Sequence, residues 1–437
     1  MPLTKQQQSA IMMMQKFMNS QNRFLLLSGY AGTGKTFTIT QFVQHLDTST
    51  SVYLAAPTHK AARVLEQMAA RAGLAVETGT IHSLLGLVVK YRGDREVLEP
   101  QGESRFHDYD LIVVDECSMI GDEVCRIILA ATSPMTKTKT IFIGDPAQLP
   151  PIGEAESITF KIPLKAELTD IVRQKAGNPI IGLATAIRQA QQTGERIQVE
   201  QYVTKQGENG LFLMPGNSFE NWMSKAFCSD IYRDNPDTFR IISWRNHRVI
   251  GFNQKIRRLL YGNYREEPFV PGERAITAGA VHRLDDNGKP DTRVSLHSAV
   301  EGKVLECCES IHPWFSKEFF RVWKIVFEPE GKPETILYIP ADQSEELRIQ
   351  FCLQERAEQA RRKKSNWWNY WKLKRSMADL RPCHAITTHR SQGSTYQNVF
   401  VDALDILENK NRPEALRSLY TAITRAADCV IINTAII

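Results

Sequence analysis

Residues 29–36 read GYAGTGKT, a set of residue types suited to holding a polyphosphate. Gly29, Gly32 and Gly34 let the backbone curl so that its N–H groups and the start of the following helix face an anion. Lys35 supplies a point charge for the β- and γ-phosphates, and the Thr36 hydroxyl can ligate Mg2+. Such a loop names a ligand and no activity, because kinases, switches, motors and transporters all use it. Asp115 and Glu116 end the run LIVVDE at 111–116. The first carboxylate can hold the metal shell and the second can orient or deprotonate an attacking water, which argues for hydrolysis over transfer to a bound acceptor. Gln148, in GDPAQLPPIG at 144–153, offers an amide able to sense a γ-phosphate. Arg173 and Arg425 are cations of the kind that neutralise charge on a phosphate in transfer. Alone, the stretch around Gln148 reads also as a Pro-stiffened turn, and an isolated arginine is usually a surface residue.

The elements that must position these groups are apolar strands alternating with helices. Phe24–Ser28 reads as a buried strand, and Phe37, Ile39, Phe42, Val43 and Leu46 recur at helical spacing after the glycine loop. Further strands are expected at 52–57, 111–116, 140–145 and 239–243, and again at 398–403 and 429–433 around a helix near 417–424. This pattern predicts an α/β protein with two parallel sheets covered on both faces. Between Pro268 and Pro382 the texture changes to Pro- and Gly-punctuated β-like runs followed by a long polar helix, which reads as an inserted domain. Residues 85–100 read as a small hairpin around Arg92-Gly93-Asp94. The Met12-Met13-Met14 run reads as a helix face buried on the first sheet.

The bulk numbers set limits. A chain of 437 residues with 42% hydrophobic and 24% charged residues is too long for one core and is not disordered. Its net charge of +5 permits a nucleic-acid partner without demanding one. Eight cysteines without a CxxC pair suggest neither a disulfide framework nor a zinc site, and fit a reducing, intracellular setting. No targeting pattern and no membrane-length apolar run is evident, so a cytoplasmic protein without membrane contact is expected.

In order, GYAGTGKT, LAAPTHKAARVL, TIHSLLG, DECSM, GDPAQLPPIG, LTDIVRQ, ISWRN, TTHRSQGSTY and YTAITRA resemble the motifs of superfamily 1 helicases. TIHSLLG, the compact length and the late insertion resemble the RecD-like B branch, and within it the Dda-like enzymes. The resemblance implies two RecA-like motor domains, at 1–84 with 101–175 and at 176–267 with 383–437. It also implies a hairpin at 85–100 and an accessory domain at 268–382, β-rich, SH3-like and carrying a helical extension. It implies ATP and Mg2+ as cofactors, with Gln7 at the adenine, Gly29, Gly32, Thr33, Gly34, Lys35 and Thr36 around the phosphates, and Thr36 and Asp115 on the metal. Glu116 matches the activator of water, Gln148 the γ-phosphate sensor, and Arg173 and Arg425 the arginines that close over the nucleotide. Pro57, Thr58, His59, Thr80, His82, Asn246, Thr388 and His389 fall where the family touches the DNA strand, and Gln392 and Gly393 where the second motor domain couples nucleotide to DNA.

The activity so implied is ATP-dependent 5′ to 3′ movement along single-stranded DNA, with unwinding at junctions, in replication, recombination or repair. The acting unit would be a monomer working with a single-strand-binding or replication protein. Cys117 and Arg390 depart from the pattern without touching the chemistry. The hairpin tip departs more, since Arg-Gly-Asp stands where Dda-like enzymes carry an aromatic that splits duplex. A translocase or remodeller without robust unwinding therefore stays open, as does a non-motor module regulated by ATP. At 355–381 nine Lys or Arg against three Asp or Glu surround Trp367, Trp368, Tyr370 and Trp371. The cations could attract phosphates while the rings stack on bases, or Trp367 and Trp371, four apart on a helix, could pack the accessory domain.

Overall fold

The computed structural model describes residues 3–100, 104–132, 136–170, 179–195, 197, 202–203, 210–214, 216–262, 267–284, 290–315, 317–362 and 367–433. The strand Phe24–Gly29 has no polar alternation because both its faces are covered. Leu25 and Leu27 enter one hydrophobic cluster and Leu26 the cluster on the opposite side. Around it lies a parallel six-stranded sheet in the order Glu77–Thr80, Val52–Ala56, Leu111–Val114, Lys139–Gly144, Phe24–Gly29, Lys165–Leu168. Helices Lys5–Met18, Lys35–Gln44 and His59–Arg71 cover one face, and Asp122–Ala131 covers the other. The three-methionine face needs correction. Met14 is fully buried but Met12 is 55% exposed, because consecutive helical residues are about 100° apart and three cannot share one face.

A second six-stranded sheet runs in the order Ala385–Thr387, Phe239–Ser243, Tyr396–Val401, Ala426–Ile432, Gly210–Leu213, Tyr202–Val203, parallel except for the last pair. Here too neighbours diverge: Ile242, Val399, Val401 and Ile432 pack against helices Pro179–Thr193 and Arg412–Ile423. Ile241, Phe400 and Ile431 pack against Asn217–Phe227 and Asn246–Tyr261. The chain is thus α/β with two parallel-sheet units of the RecA-like kind.

Between the strands Phe239–Ser243 and Ala385–Thr387 is a five-stranded antiparallel sheet in the order Thr335–Pro340, Arg321–Pro329, Glu301–Ile311, Arg274–Thr277, Leu380–Pro382. It carries helices Gln343–Arg362 and Trp368–Ser376. Leu87–Arg92 and Arg95–Pro100 form an antiparallel hairpin, and those helices reach its tip. Trp371, 4% exposed, donates its indole N–H to the Gly93 carbonyl at 2.9 Å, and Arg361 pairs with Asp94 at 2.7 Å. A Cβ on Gly93 would lie 3.6 Å from the Trp367 ring. Of the two readings for these aromatics, packing accounts for Trp371, but the surface it packs against is the hairpin as well as its own domain. Among the described residues no helix is long and apolar enough to cross a membrane.

Candidate nucleotide cleft and nucleic-acid interface

Gly34 is the N-cap of helix Lys35–Gln44 with φ +79°, a left-handed conformation. A Cβ there would also fall 2.6 Å from Nε2 of Gln7, so only glycine fits. The turn brings the Lys35 ammonium back over its own loop, donating to the carbonyls of Gly29 at 2.7 Å and Tyr30 at 3.1 Å. Thr33, fully buried, donates its hydroxyl to the Tyr30 carbonyl. Tyr30, Gly32, Gly34, Lys35 and Thr36 thereby line a cleft of about 700 Å³.

The strand before the paired carboxylates stops at Val114, two residues short of the expected end. Asp115 and Glu116 lie in the turn beyond it, where Glu116 has φ +52° and donates its N–H to Asp115 Oδ1 at 2.8 Å. A non-glycine residue in that region is strained, and the strain aims two adjacent carboxylates at the cleft. Cys117 behind them is accommodated because residue 144 is glycine, whose Cβ would meet its sulfur at 2.5 Å. Burial pushes the Cys117 thiol far up, so it is a packed neutral group. Gln148 is 5% exposed and, among the described residues, its Oε1 has no hydrogen-bond partner, an acceptor on the cleft wall in want of a donor.

The opposite wall comes from the second sheet. Arg425 is 6% exposed and donates to the carbonyls of Thr421 and Ser394, both at 3.2 Å. Gln392 donates its amide to the Leu149 carbonyl at 3.0 Å, and Leu149 donates its N–H to the Thr421 hydroxyl at 3.1 Å. Gly393, at φ +70°, comes so close that its Cβ would lie 3.0 Å from that of Ala61. Arg173 lies outside the described residues. Gln7 is placed behind the loop: 1% exposed, it accepts from the Thr4 N–H at 3.0 Å and donates to the Thr33 carbonyl at 3.1 Å, and it does not line the cleft.

Arg188 and Tyr420 are among the cleft residues that the sequence did not single out. Arg188 stacks its guanidinium 3.7 Å from the Tyr30 ring centre, and nothing in its helix marks it. Tyr420 belongs to the same short motif as Arg425 and was legible only as part of it. The loop N–H groups, an ammonium, a hydroxyl and a carboxylate beside the unpaired Gln148 oxygen form a donor set that fits a nucleotide triphosphate with a hard cation on Thr36 and Asp115.

The remaining candidates gather at the carboxyl ends of strands in both sheets. Pro57, Thr58 and His59 follow Val52–Ala56, and Thr58 caps helix His59–Arg71 by accepting from the Ala61 N–H. Thr80, buried, caps the next short helix, on which His82 is half-buried. Asn246 is exposed at the start of its helix. Thr388, fully buried, donates to the Ser243 carbonyl at 3.2 Å, and His389 beside it is half-buried. Thr80 and Thr388 thus spend their hydroxyls locally and leave His59, His82, Asn246 and His389 as the more accessible groups.

The segment between the strands Phe239–Ser243 and Ala385–Thr387 reaches this face. His297 stacks on His59 with ring centres 3.8 Å apart. Burial, followed by neighbouring positive charge, lowers both imidazoles to about 4, and burial lowers His82. One residue further along, Lys60 pairs at 2.6 Å with Glu301, which also takes Arg240 at 3.0 Å and Arg274 at 3.4 Å. Burial works against the Glu301 carboxylate, yet Arg240 and Lys60 hold it at about 2.

Two family models match the chain: the AAA domain over residues 2–207 and the UvrD-like helicase C-terminal domain over residues 382–432. Protein R530 of Acanthamoeba polyphaga mimivirus is 26% identical, with 97% of this chain and 98% of its own length covered. The ATP-dependent DNA helicase dda of Enterobacteria phage T4 is 24% identical, with 97% of each covered. Among solved structures, Bacteroides Pif1 bound to single-stranded DNA has a TM-score of 0.53 over 100% of this chain and 93% of its own, at 16% identity, a likeness of fold.

Proposed function

We infer that this chain, which belongs to the superfamily 1 helicases of the Pif1, Dda and RecD type, spends ATP to move 5′ to 3′ along single-stranded DNA and to open duplex at junctions. The observation that carries the reading is a cleft whose two walls come from different sheets. The phosphate loop, Asp115, Glu116 and Gln148 face Arg425 across it, so catalysis requires the two domains to be together and release lets them part. Bound ATP with Mg2+ supplies the phosphoanhydride bond whose hydrolysis drives the cycle.

Lys35 would swing from its loop carbonyls to the phosphates, and Thr36 and Asp115 would hold the metal, which supplies positive charge to the phosphate oxygens. Glu116 takes a proton from the attacking water and Gln148 Oε1 accepts its other hydrogen. Arg425, with Arg173, neutralises charge as it develops. Gln7 fixes the loop from behind in the arrangement described and turns to the adenine only by giving up its Thr4 and Thr33 bonds. Pro57, Thr58, His59, Thr80 and His82 on one domain, and Asn246, Thr388 and His389 on the other, grip the strand alternately. Gln392 and Gly393 carry the change between nucleotide and strand. The division into 1–84 with 101–175, 85–100, 176–267 with 383–437, and 268–382 follows from the same reading. So do a monomeric acting unit, a single-strand-binding or replication protein as loading partner, and a cytoplasmic site of action.

A second reading, movement without strand separation, is favoured by one observation: the hairpin tip presents Gly93 and Asp94, already engaged by Trp371 and Arg361. ATP hydrolysis measured with and without single-stranded DNA tests the motor itself. Strong stimulation is expected, and hydrolysis indifferent to any nucleic acid would contradict it.

A further inference from the structure

Tyr420 lies in helix Arg412–Ile423 of the second domain and is 1% exposed. Its hydroxyl accepts the N–H of Ala31, in the phosphate loop, at 3.0 Å and donates to Oδ2 of Asp145, at the head of the Gln148 loop, at 2.8 Å. Both partners belong to the first domain. One atom of the second domain therefore joins two first-domain segments far apart in sequence.

The next residue, Thr421, takes the N–H of Leu149, and Asp145 Oδ1 accepts from Ala147. The loop 145–149 is held at its head by Tyr420 and at its tail by Thr421 and Gln392, with Gln148 between the two holds. Arg425 lies just past the end of the same helix, in the turn that leads into the strand Ala426–Ile432. The end of this helix thus carries the two hydroxyls that set the loop bearing the amide, and the turn immediately after it carries the cation.

Resting on the hydrolysis reading above, we propose that the Tyr420 hydroxyl is a positioning group for that reaction, fixing the Gln148 loop against the phosphate loop whenever the domains are closed. Its fully buried setting excludes water that could substitute for either bond. When the domains part, the Ala31 N–H and the Asp145 carboxylate lose their partner together, so Gln148 loses its register at the same moment as Arg425 withdraws. Hydrolysis is thereby confined to the closed arrangement by the geometry of one side chain in addition to the arginine.

The test uses Tyr420→Phe, which keeps the buried ring, and Asp145→Asn, which keeps the volume and the acceptor for Ala147. In single-strand-stimulated hydrolysis Tyr420→Phe, which loses both bonds, is expected to lower kcat by at least about tenfold, and Asp145→Asn, which perturbs one of them, by no more than that. KM for ATP should stay within about twofold, the mark of an interaction made in turnover and not in binding. The double variant should be no worse than Tyr420→Phe alone, since the Tyr420–Asp145 bond is the link the two substitutions share. Unchanged kcat in Tyr420→Phe, a rise in KM that accounts for the whole loss, or multiplying effects in the double variant would each overturn the proposal. Lys35→Ala in the same series reads the underlying assignment separately: turnover persisting there overturns the hydrolysis reading and this one with it. Loss in Lys35→Ala with normal Tyr420→Phe overturns this one alone.

Discussion

Two joints of this molecule are built from different materials. Across the nucleotide cleft the two parallel-sheet units meet largely through polar links, Gln392 to Leu149, Leu149 to Thr421, and Tyr420 to Ala31 and Asp145, with the Arg188 guanidinium on the Tyr30 ring and small Ala147 against the second unit's core beside them. Between the hairpin and the helices Gln343–Arg362 and Trp368–Ser376 the contact is a buried Trp371 with its indole N–H engaged, the Trp367 ring beside Gly93 and the Arg361–Asp94 pair. A hydrogen bond contributes about 1 kcal/mol net, so a few can be broken and remade in each cycle. A large aromatic ring withdrawn from water is worth several times that and resists separation. The cleft is built to open, and the hairpin is built to hold its direction while the cleft opens.

The largest effect that could break this comparison is at Lys35. Lys35→Ala should lower hydrolysis by about a thousandfold or more, read as phosphate release; near-normal turnover would remove the cleft from the energy path. Arg425→Ala is expected to retain nucleotide binding while turnover falls by at least about a hundredfold, in titration and steady-state assays on one preparation. Equal loss of both would make the arginine part of binding and not of closure.

Trp371→Phe sharpens the other side. It removes the donor to Gly93 and keeps most of the ring, so forked-duplex opening should drop about fivefold while strand-stimulated hydrolysis stays within about twofold. A parallel fall in both would mean the hairpin joint is not separate from the motor.

What the sequence made legible follows the same division. Lys35, Thr36, Asp115, Glu116, Gln148 and Arg425 line one cleft, and each stands in a short motif whose backbone needs are local. The strands buried on both faces, such as Phe24–Gly29, show as unbroken apolar runs. Glu77–Thr80 and Lys165–Leu168 were not legible. They are edge strands with one neighbour each, and their half-exposed sequences ETGT and KAEL carry little apolar signal. Nor was the placing of Gln7 behind the loop, of Arg188 on Tyr30, or of Trp371 on Gly93, because each depends on which distant segment arrives beside it. The Tyr420–Ala31 bond spans 389 positions, and no periodicity encodes such a meeting.

Smaller effects test the contact between His59, after the strand Val52–Ala56, and His297. His59 and His297 are held near 4, chiefly by burial, below the value of about 6.5 for an exposed imidazole. The unfolded chain therefore takes up these protons first, and the stabilisation from the neutral pair is complete above about pH 6.5 and lost as pH falls toward 4. Melting midpoints between pH 7.5 and 4.5 should decline less steeply in His297→Gln than in the parent chain; identical slopes would remove the pair from the joint. Least of all, Arg361→Ala breaks a largely exposed ion pair. It should shift the midpoint by less than about 3 °C, and a larger shift would mean that charge, not Trp371, secures the hairpin.

The central claim is tested most directly by opening of a duplex that carries either a 5′ or a 3′ single-stranded overhang, in the presence of ATP and Mg2+. Opening from the 5′ overhang alone is the result predicted for a motor that moves 5′ to 3′ behind a fixed hairpin. Opening from the 3′ overhang alone would contradict the direction, and strand-stimulated hydrolysis with opening from neither would contradict the role given to the hairpin.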